Sequence, residues 1–294
     1  MLLRRWKPEL QGVSRQRIGA VRRLVRRSCV LALATVAASC SMDGKALESQ
    51  KERLSEPSAP RAEIDLARVD VFELLAANAT ALSGSHQALV VAGEGQSRFV
   101  RVWLAERRET WQITLGGEHG MPGAIGAHGF APPGRKREGD KCTPTGVFTM
   151  TEAFGDSPFD SRNPQTRLPY RTADASDWWC DDPTSPDYNT WVKRPLSQAT
   201  SSQAVGTLPS AENLHRDDDL YRLVVVIDYN RWPVVPGMGS GIFLHKADPE
   251  GAGTLGCVGL SEADLRAVVA RLDPSQSPRV LLGTIPELLR GLPK

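Results

Sequence analysis

Two residues near the end of the chain have the types and the spacing for nucleophilic chemistry. In "GIFLHKADPEGAGTLGCVGL", residues 241–260, an apolar run delivers His245 and a glycine-bearing loop delivers Cys257 twelve positions later. A thiol attacks as its thiolate, and an ordinary cysteine keeps its proton up to a pKa of about 8.5. A neighbouring imidazole can accept that proton and hold the thiolate as an ion pair. The spacing is too long for a helical turn but suits a strand end and a loop that folds back beside it. Gly256 then lets substrate approach the sulfur and lets local N–H groups aim at a developing oxyanion. On spacing alone the pair better fits a satisfied core histidine and a buried structural thiol, since free cysteines are often buried. A metal is not expected: zinc needs three or four ligands at paired spacings, and His215 and Asp248 do not supply them. Asp181, Asp182 and Asp187 in "DDPTSPD" read as a solvated turn rather than a calcium site.

The elements around these residues read as mainly β with a few helices. Short β-branched runs, "ALVVAG", "RFVRVWLA" and "TWQITLG", follow one another from about residue 87. The strongest strand is "LYRLVVVIDYN", residues 220–230, whose continuous apolar centre predicts burial on both faces. "IFLH" and "RVLLGT" supply two more strands, and "TPTGVFTM" is a turn feeding a strand. A helix is predicted from an N-cap at Ser261, with Leu265, Val268, Val269 and Leu272 on its inner face. Another short helix is predicted within "IDLARVDVFELLAANATAL". Residues 151–192 show little regular pattern and read as a long irregular segment or lid. Trp178, Trp179 and Trp191 within it either wall a groove for sugars or peptide or staple the loop to the core.

Residues 1–39 have the order of an export signal: a long basic stretch, then "CVLALATVAAS", short, apolar and built from small residues. Cys40 follows and is a candidate lipidation site, with ordinary cleavage after Ser39 as the alternative. Ser41, not an aspartate, comes next, which points to the outer membrane if a lipid is attached. No uninterrupted apolar run reaches the roughly 18 residues of a spanning helix. Residues 1–39 carry nine of the 36 Lys and Arg and one of the 34 Asp and Glu, leaving 27 basic and 33 acidic side chains, a formal charge near −6. A nucleic-acid partner is therefore not expected. The chain divides into an export signal at 1–39, a tether and short helix at 40–84, and a folded domain at 85–294. Exported proteins form disulfides, so a Cys142–Cys180 bond with Cys257 left free is expected.

The segments "REGDKCTPTGVF", "LPYR", "WWCDDPTSPDYNTWV", "VVVIDYN", "PVVPGMGSGIFLH" and above all "GTLGCVGL" together resemble the L,D-transpeptidase (YkuD-like) catalytic domain family, over about residues 87–285. The resemblance implies a β-sandwich or mixed-sheet domain acting on peptidoglycan, with no cofactor. Carried over, Cys257 is the nucleophile, His245 the base, and Thr254 and Gly256 the Thr and Gly of the family's Ser/Thr-His-Gly-Cys motif. Two positions depart from the pattern: the motif's histidine is Leu255 here, and an arginine suited to a substrate carboxylate is Gly259. The chain thus resembles a divergent branch with Thr-Leu-Gly-Cys, in which Arg137, Lys136 or Arg222 would have to supply the missing charge, and Trp179 and Trp191 would help bind substrate. The expected function is a cell-envelope acyl transfer on stem peptides through a Cys257 thioester. Two alternatives stand beside it: a hydrolase in which water resolves the thioester, and a non-catalytic wall-binding lipoprotein. The expected partners are peptidoglycan stem peptides and, through a lipid on Cys40, the membrane; the expected location is the periplasm or cell envelope.

Overall fold

The computed structural model describes residues 69–156, 166–195, 209–248 and 251–293. The export signal, the tether and Cys40 lie outside them. The described part is mostly β, as the sequence predicts. Its elements begin with α1 (Val71–Ala77), β1 (Gln87–Gly93), β2 (Phe99–Arg107), β3 (Trp111–Leu115), β4 (Met121–Ala124), β5 (Phe130–Ala131), β6 (Thr143–Pro144) and β7 (Gly146–Thr149). They continue with β8 (Ala153–Asp156), β9 (Tyr170–Ala173), β10 (Asp177–Cys180), β11 (Trp191–Lys193), β12 (Ala211–Asn213) and β13 (Val224–Val226). The last are β14 (Phe243–Lys246), β15 (Val258–Leu260), α2 (Glu262–Arg271), β16 (Arg279–Thr284) and α3 (Ile285–Arg290).

Among the described residues one curled mixed sheet runs β7-β16-β1-β2-β4-β15-β14-β13-β8-β9, with β3 on the edge of β2. Most pairs are antiparallel, but β1–β16, β8–β9 and β14–β15 are parallel. The alternation of a strand sorts its side chains into separate cores. Leu89 and Val91 of β1 join Val102 and Leu104 of β2, Leu244 of β14 and Val258 and Leu260 of β15 on the inner face. The alternate residues Ala88, Val90 and Trp103 face α1 and α3. At the other end Val224, Val226 and Phe243 face a third cluster, while Leu223, Val225 and Ile227 face the inner one. The "LVVVI" run is therefore apolar throughout because its two faces serve two different cores.

The helices follow their sequence signals. Ser261 caps α2 by accepting from the Asp264 N–H, and Leu265, Val268, Val269 and Leu272 are all buried. Asp70 caps α1 in the same way. Asn78, just beyond α1, donates to Leu288 O (2.8 Å) and accepts from Leu292 N (2.8 Å), which ties α1 to the C-terminal helix.

Two expectations need correction. The described residues of 151–192 are not irregular: they hold β8 to β10 and the start of β11, and β10 is the centre of a separate sheet, β11-β10-β12. These strands are three or four residues long, so no alternation has room to develop, and side chains finish the job. The buried Asp177 carboxylate receives the Trp191 indole N–H (2.6 Å) and faces Lys193 (3.0 Å). The expected Cys142–Cys180 disulfide is also absent, since both thiols are free. Cys180 is fully buried on β10, whereas Cys142 points its sulfur at the His128 and Asp140 carbonyls (3.8 and 3.6 Å).

Candidate active site

His245 and Cys257 reach one face of the sheet through adjacent parallel strands. The register pairs Leu244 with Val258 and His245 with Gly259. Leu244 and Val258 point into the inner core, so Phe243, His245 and Cys257 point the other way. Both residues line a cleft of about 650 Å³ that the β11-β10-β12 sheet walls with Trp179 and Glu212. Each is only 6% exposed.

The cysteine loop is pegged from three directions. Thr254 Oγ1 donates to Cys257 O (2.7 Å) and accepts from Gly256 N (3.1 Å), closing the turn on itself. Thr143 of β6, fully buried, donates to Gly256 O (2.8 Å) and accepts from Gly126 N (2.9 Å). The Thr254 N–H donates to Ile125 O (2.9 Å), which seats the loop on the segment after β4. Gly256 itself has φ +146°, and a Cβ there would stand 2.9 Å from Cys142 O, so only glycine fits. Because its N–H serves Thr254, an oxyanion has to be met by other donors. Replacing Thr143 by Val keeps the shape but strands a buried N–H and a buried carbonyl. The expected cost is about 1–3 kcal/mol, read from the urea midpoint, with a matching loss of Cys257 reactivity. An unchanged midpoint would contradict the peg.

The sulfur sits between two backbone groups. Cys257 Sγ donates to Gly241 O (3.3 Å) and receives Phe243 N (3.4 Å). Asn189 holds Gly241 in place: its Oδ1 accepts from Gly241 N (3.0 Å) and from the Trp179 indole (2.9 Å). Tyr188 and Ser240 both donate to Glu138 (2.5 and 2.7 Å), so the "DYN" and "GSG" segments support this wall together. The His245 imidazole points Nδ1 at Lys246 O (2.6 Å). A carbonyl can only accept, so Nδ1 carries the proton and Nε2 is left bare as a proton acceptor.

The electrostatics contradict a resting ion pair. Burial pushes the Cys257 thiol up to about 12, and the Glu212 carboxylate adds to it; Phe243 N–H, the Tyr221 hydroxyl and the Lys136 ammonium act the other way. Burial likewise holds the His245 imidazole down, to about 4, against the pull of the Lys246 carbonyl. Both groups therefore rest neutral, the form that burial favours in each.

The remaining predicted residues divide. Thr254, Gly256 and Trp179 belong to the cleft and its cysteine loop, as does Lys136, which is buried and ion-paired to Asp140 (2.6 Å). Arg137 does not line the cleft: its guanidinium donates to Lys136 O (2.6 Å) and to Met238 Sδ (3.1 Å). Trp191 does not line it either, because it packs edge-on against Phe154 (5.2 Å) under the Arg171 guanidinium (3.9 Å). At Gly259 a Cβ would stand 3.0 Å from Ala247 Cα, so a larger residue crowds the neighbouring backbone. Leu255 is 73% exposed and lines the cleft beside the cysteine. Sequence reasoning missed Glu212, Arg216 and Tyr221, which also line it; Glu212 and Arg216 sit in a stretch with no motif, and Tyr221 reads only as the start of the apolar run at 220–230. Among the described residues no three His, Cys, Asp or Glu side chains converge as metal ligands.

A histidine and a cysteine offered on one face by parallel strands, inside a cleft walled by a second small sheet, define a mainly β domain built around a cysteine-centred site. The family model of the L,D-transpeptidase catalytic domain (YkuD) matches residues 94–282, and the chain belongs to that family. The family's enzymes act on peptidoglycan. No curated protein and no solved structure gave a significant match.

Proposed function

We propose that the protein is a cell-envelope cysteine acyltransferase that cross-links peptidoglycan stem peptides. The observation that carries this reading is the common face of His245 and Cys257 within one cleft. Cys257 Sγ attacks the carbonyl carbon after a diaminopimelate-type residue, and its proton passes to His245 Nε2. The C–N bond to the terminal D-amino acid breaks, and His245 returns the proton to that amine as it leaves. The resulting thioester is attacked by an amine of a second stem; its proton travels through His245 to the released sulfur. The basic-then-apolar order of residues 1–39 supports export, and Cys40 a lipid anchor.

The test incubates the purified protein and its Cys257→Ala variant with tetrapeptide muropeptides and reads products by mass spectrometry. Loss of the terminal D-alanine with a new cross-link, only where Cys257 is present, is the expected result. Trimming without a cross-link would replace the transferase by the hydrolase reading. No reaction in either sample would leave a wall-binding protein.

A further inference from the structure

A buried sulfur that must depart as a thiolate needs hydrogen-bond donors, because charge removed from water is stabilised by little else. The backbone provides one, Phe243 N–H, at 3.4 Å. A second group is in place. Tyr221, in the loop between β12 and β13, is 4% exposed and donates its hydroxyl to Glu212 Oε1 (2.7 Å). Its ring lies edge-on to the His245 imidazole (centroids 5.2 Å) and to Phe243 (5.8 Å). Tyr221 and Cys257 also belong to one buried cluster and line the same cleft. Arg216 covers the Tyr221 ring (5.1 Å), approaches Glu212 Oε1 (3.4 Å) and is gripped in turn by Asp218. One phenol thus stands against the His245 imidazole and the Glu212 carboxylate, in the same buried cluster as Cys257.

We propose that Tyr221 is a third catalytic residue, whose O–H points at Glu212 at rest and turns to Cys257 Sγ when the sulfur becomes charged. No covalent bond changes at Tyr221. The thiol proton still goes to His245, the phenolic proton stays on its oxygen, and only the hydrogen bond changes acceptor. Glu212 keeps its contact with Arg216 while the hydroxyl is turned away, so Glu212 and Arg216 act as positioning residues. The same donor meets the sulfur a second time, when the thioester breaks and the thiolate is released.

The inference rests on Cys257 being the nucleophile, and its deciding measurement, alkylation, needs no substrate. Iodoacetamide alkylation of Cys257 is followed against pH by peptide mass spectrometry, which separates it from the other thiols. The charged groups facing the site come from several elements. Glu212 stands on β12, Arg216 and Asp218 follow it, Lys136 precedes β6 and His245 stands on β14; Glu138, Asp181 and Asp248 also line the cleft. Tyr221→Phe keeps the ring and every one of these charges. It is expected to slow alkylation at a fixed pH by about ten- to a hundred-fold, the worth of a hydrogen bond to a charged group, and to lower kcat with KM unchanged. Glu212→Gln removes a repelling charge and leaves a weaker, neutral competing acceptor, so it is expected to speed alkylation. Opposite signs from adjacent substitutions cannot come from general damage to the fold. A Tyr221→Phe profile that matches the unmodified protein, or two variants that shift the same way, would overturn the role. Turnover that survives Cys257→Ala would instead remove the transferase reading, whatever the alkylation profiles show.

Discussion

Replacing His245 by Gln is expected to lower turnover of a stem-peptide substrate by about 10²–10⁴-fold, the usual weight of general base catalysis. The amide keeps the approximate shape and can still donate to Lys246 O, but it offers no basic nitrogen where Nε2 stands. A second signature accompanies the loss. The folded imidazole titrates at about 4 instead of 6.5, so between these values the unfolded chain binds the proton that the folded one refuses. Stability from this residue is complete above pH 6.5 and declines as the pH falls toward 4, by about 3 kcal/mol in all. The Gln variant should lose that part of its acid sensitivity. Comparing kcat/KM at pH 7, and urea midpoints at pH 7 and 4.5, checks both halves; a loss of turnover below tenfold would remove His245 as the base.

The second large effect is at the sulfur. With the thiol pushed up to about 12 from 9.0, the fraction of Cys257 ionised at neutral pH should lie about a thousand-fold below that of an unburied cysteine. Alkylation of Cys257 is accordingly expected to be slow at pH 7 and to climb about tenfold with each further pH step while the fold persists. A preformed thiolate–imidazolium pair would behave differently, with a fast plateau across pH 6–8, and such a plateau would refute the neutral resting state. The sign matters for mechanism. In the proposed mechanism a neutral thiol loses its proton to His245 during the attack itself, so substrate binding and deprotonation belong to one step.

Much of the scaffold was legible because its signals are local. The Ser261 cap, the 3.6-residue spacing of Leu265 to Leu272 and the apolar centre of β13 each lie within a dozen residues. The placing of His245 on a strand and Cys257 in the loop after it was legible for the same reason, whereas their pairing as a site came from the family resemblance. The walls of the cleft were not. Glu212 reaches the cleft because β12 pairs with β10, in a sheet of three-residue and four-residue strands too short to leave a period. Thr143 reads in sequence as one turn residue among several, and its link to Gly256 spans 113 positions. The disulfide failed on similar grounds: exported chains favour cystine as a class, but pairing demands proximity that spacing cannot report. Burial explains the remaining miss, since a motif names a nucleophile and a base without telling how dry their surroundings are.

That dryness has a chemical consequence for durability. Peroxide and disulfide exchange attack through the thiolate, and a sulfur that idles as S–H beneath Gly241 and Phe243 presents almost none. Cys257 is therefore shielded from the sulfenic and sulfinic acids that destroy exposed low-pKa cysteines. On the proposed role, the reactivity of this thiol is withheld until a bound acyl group calls the proton away.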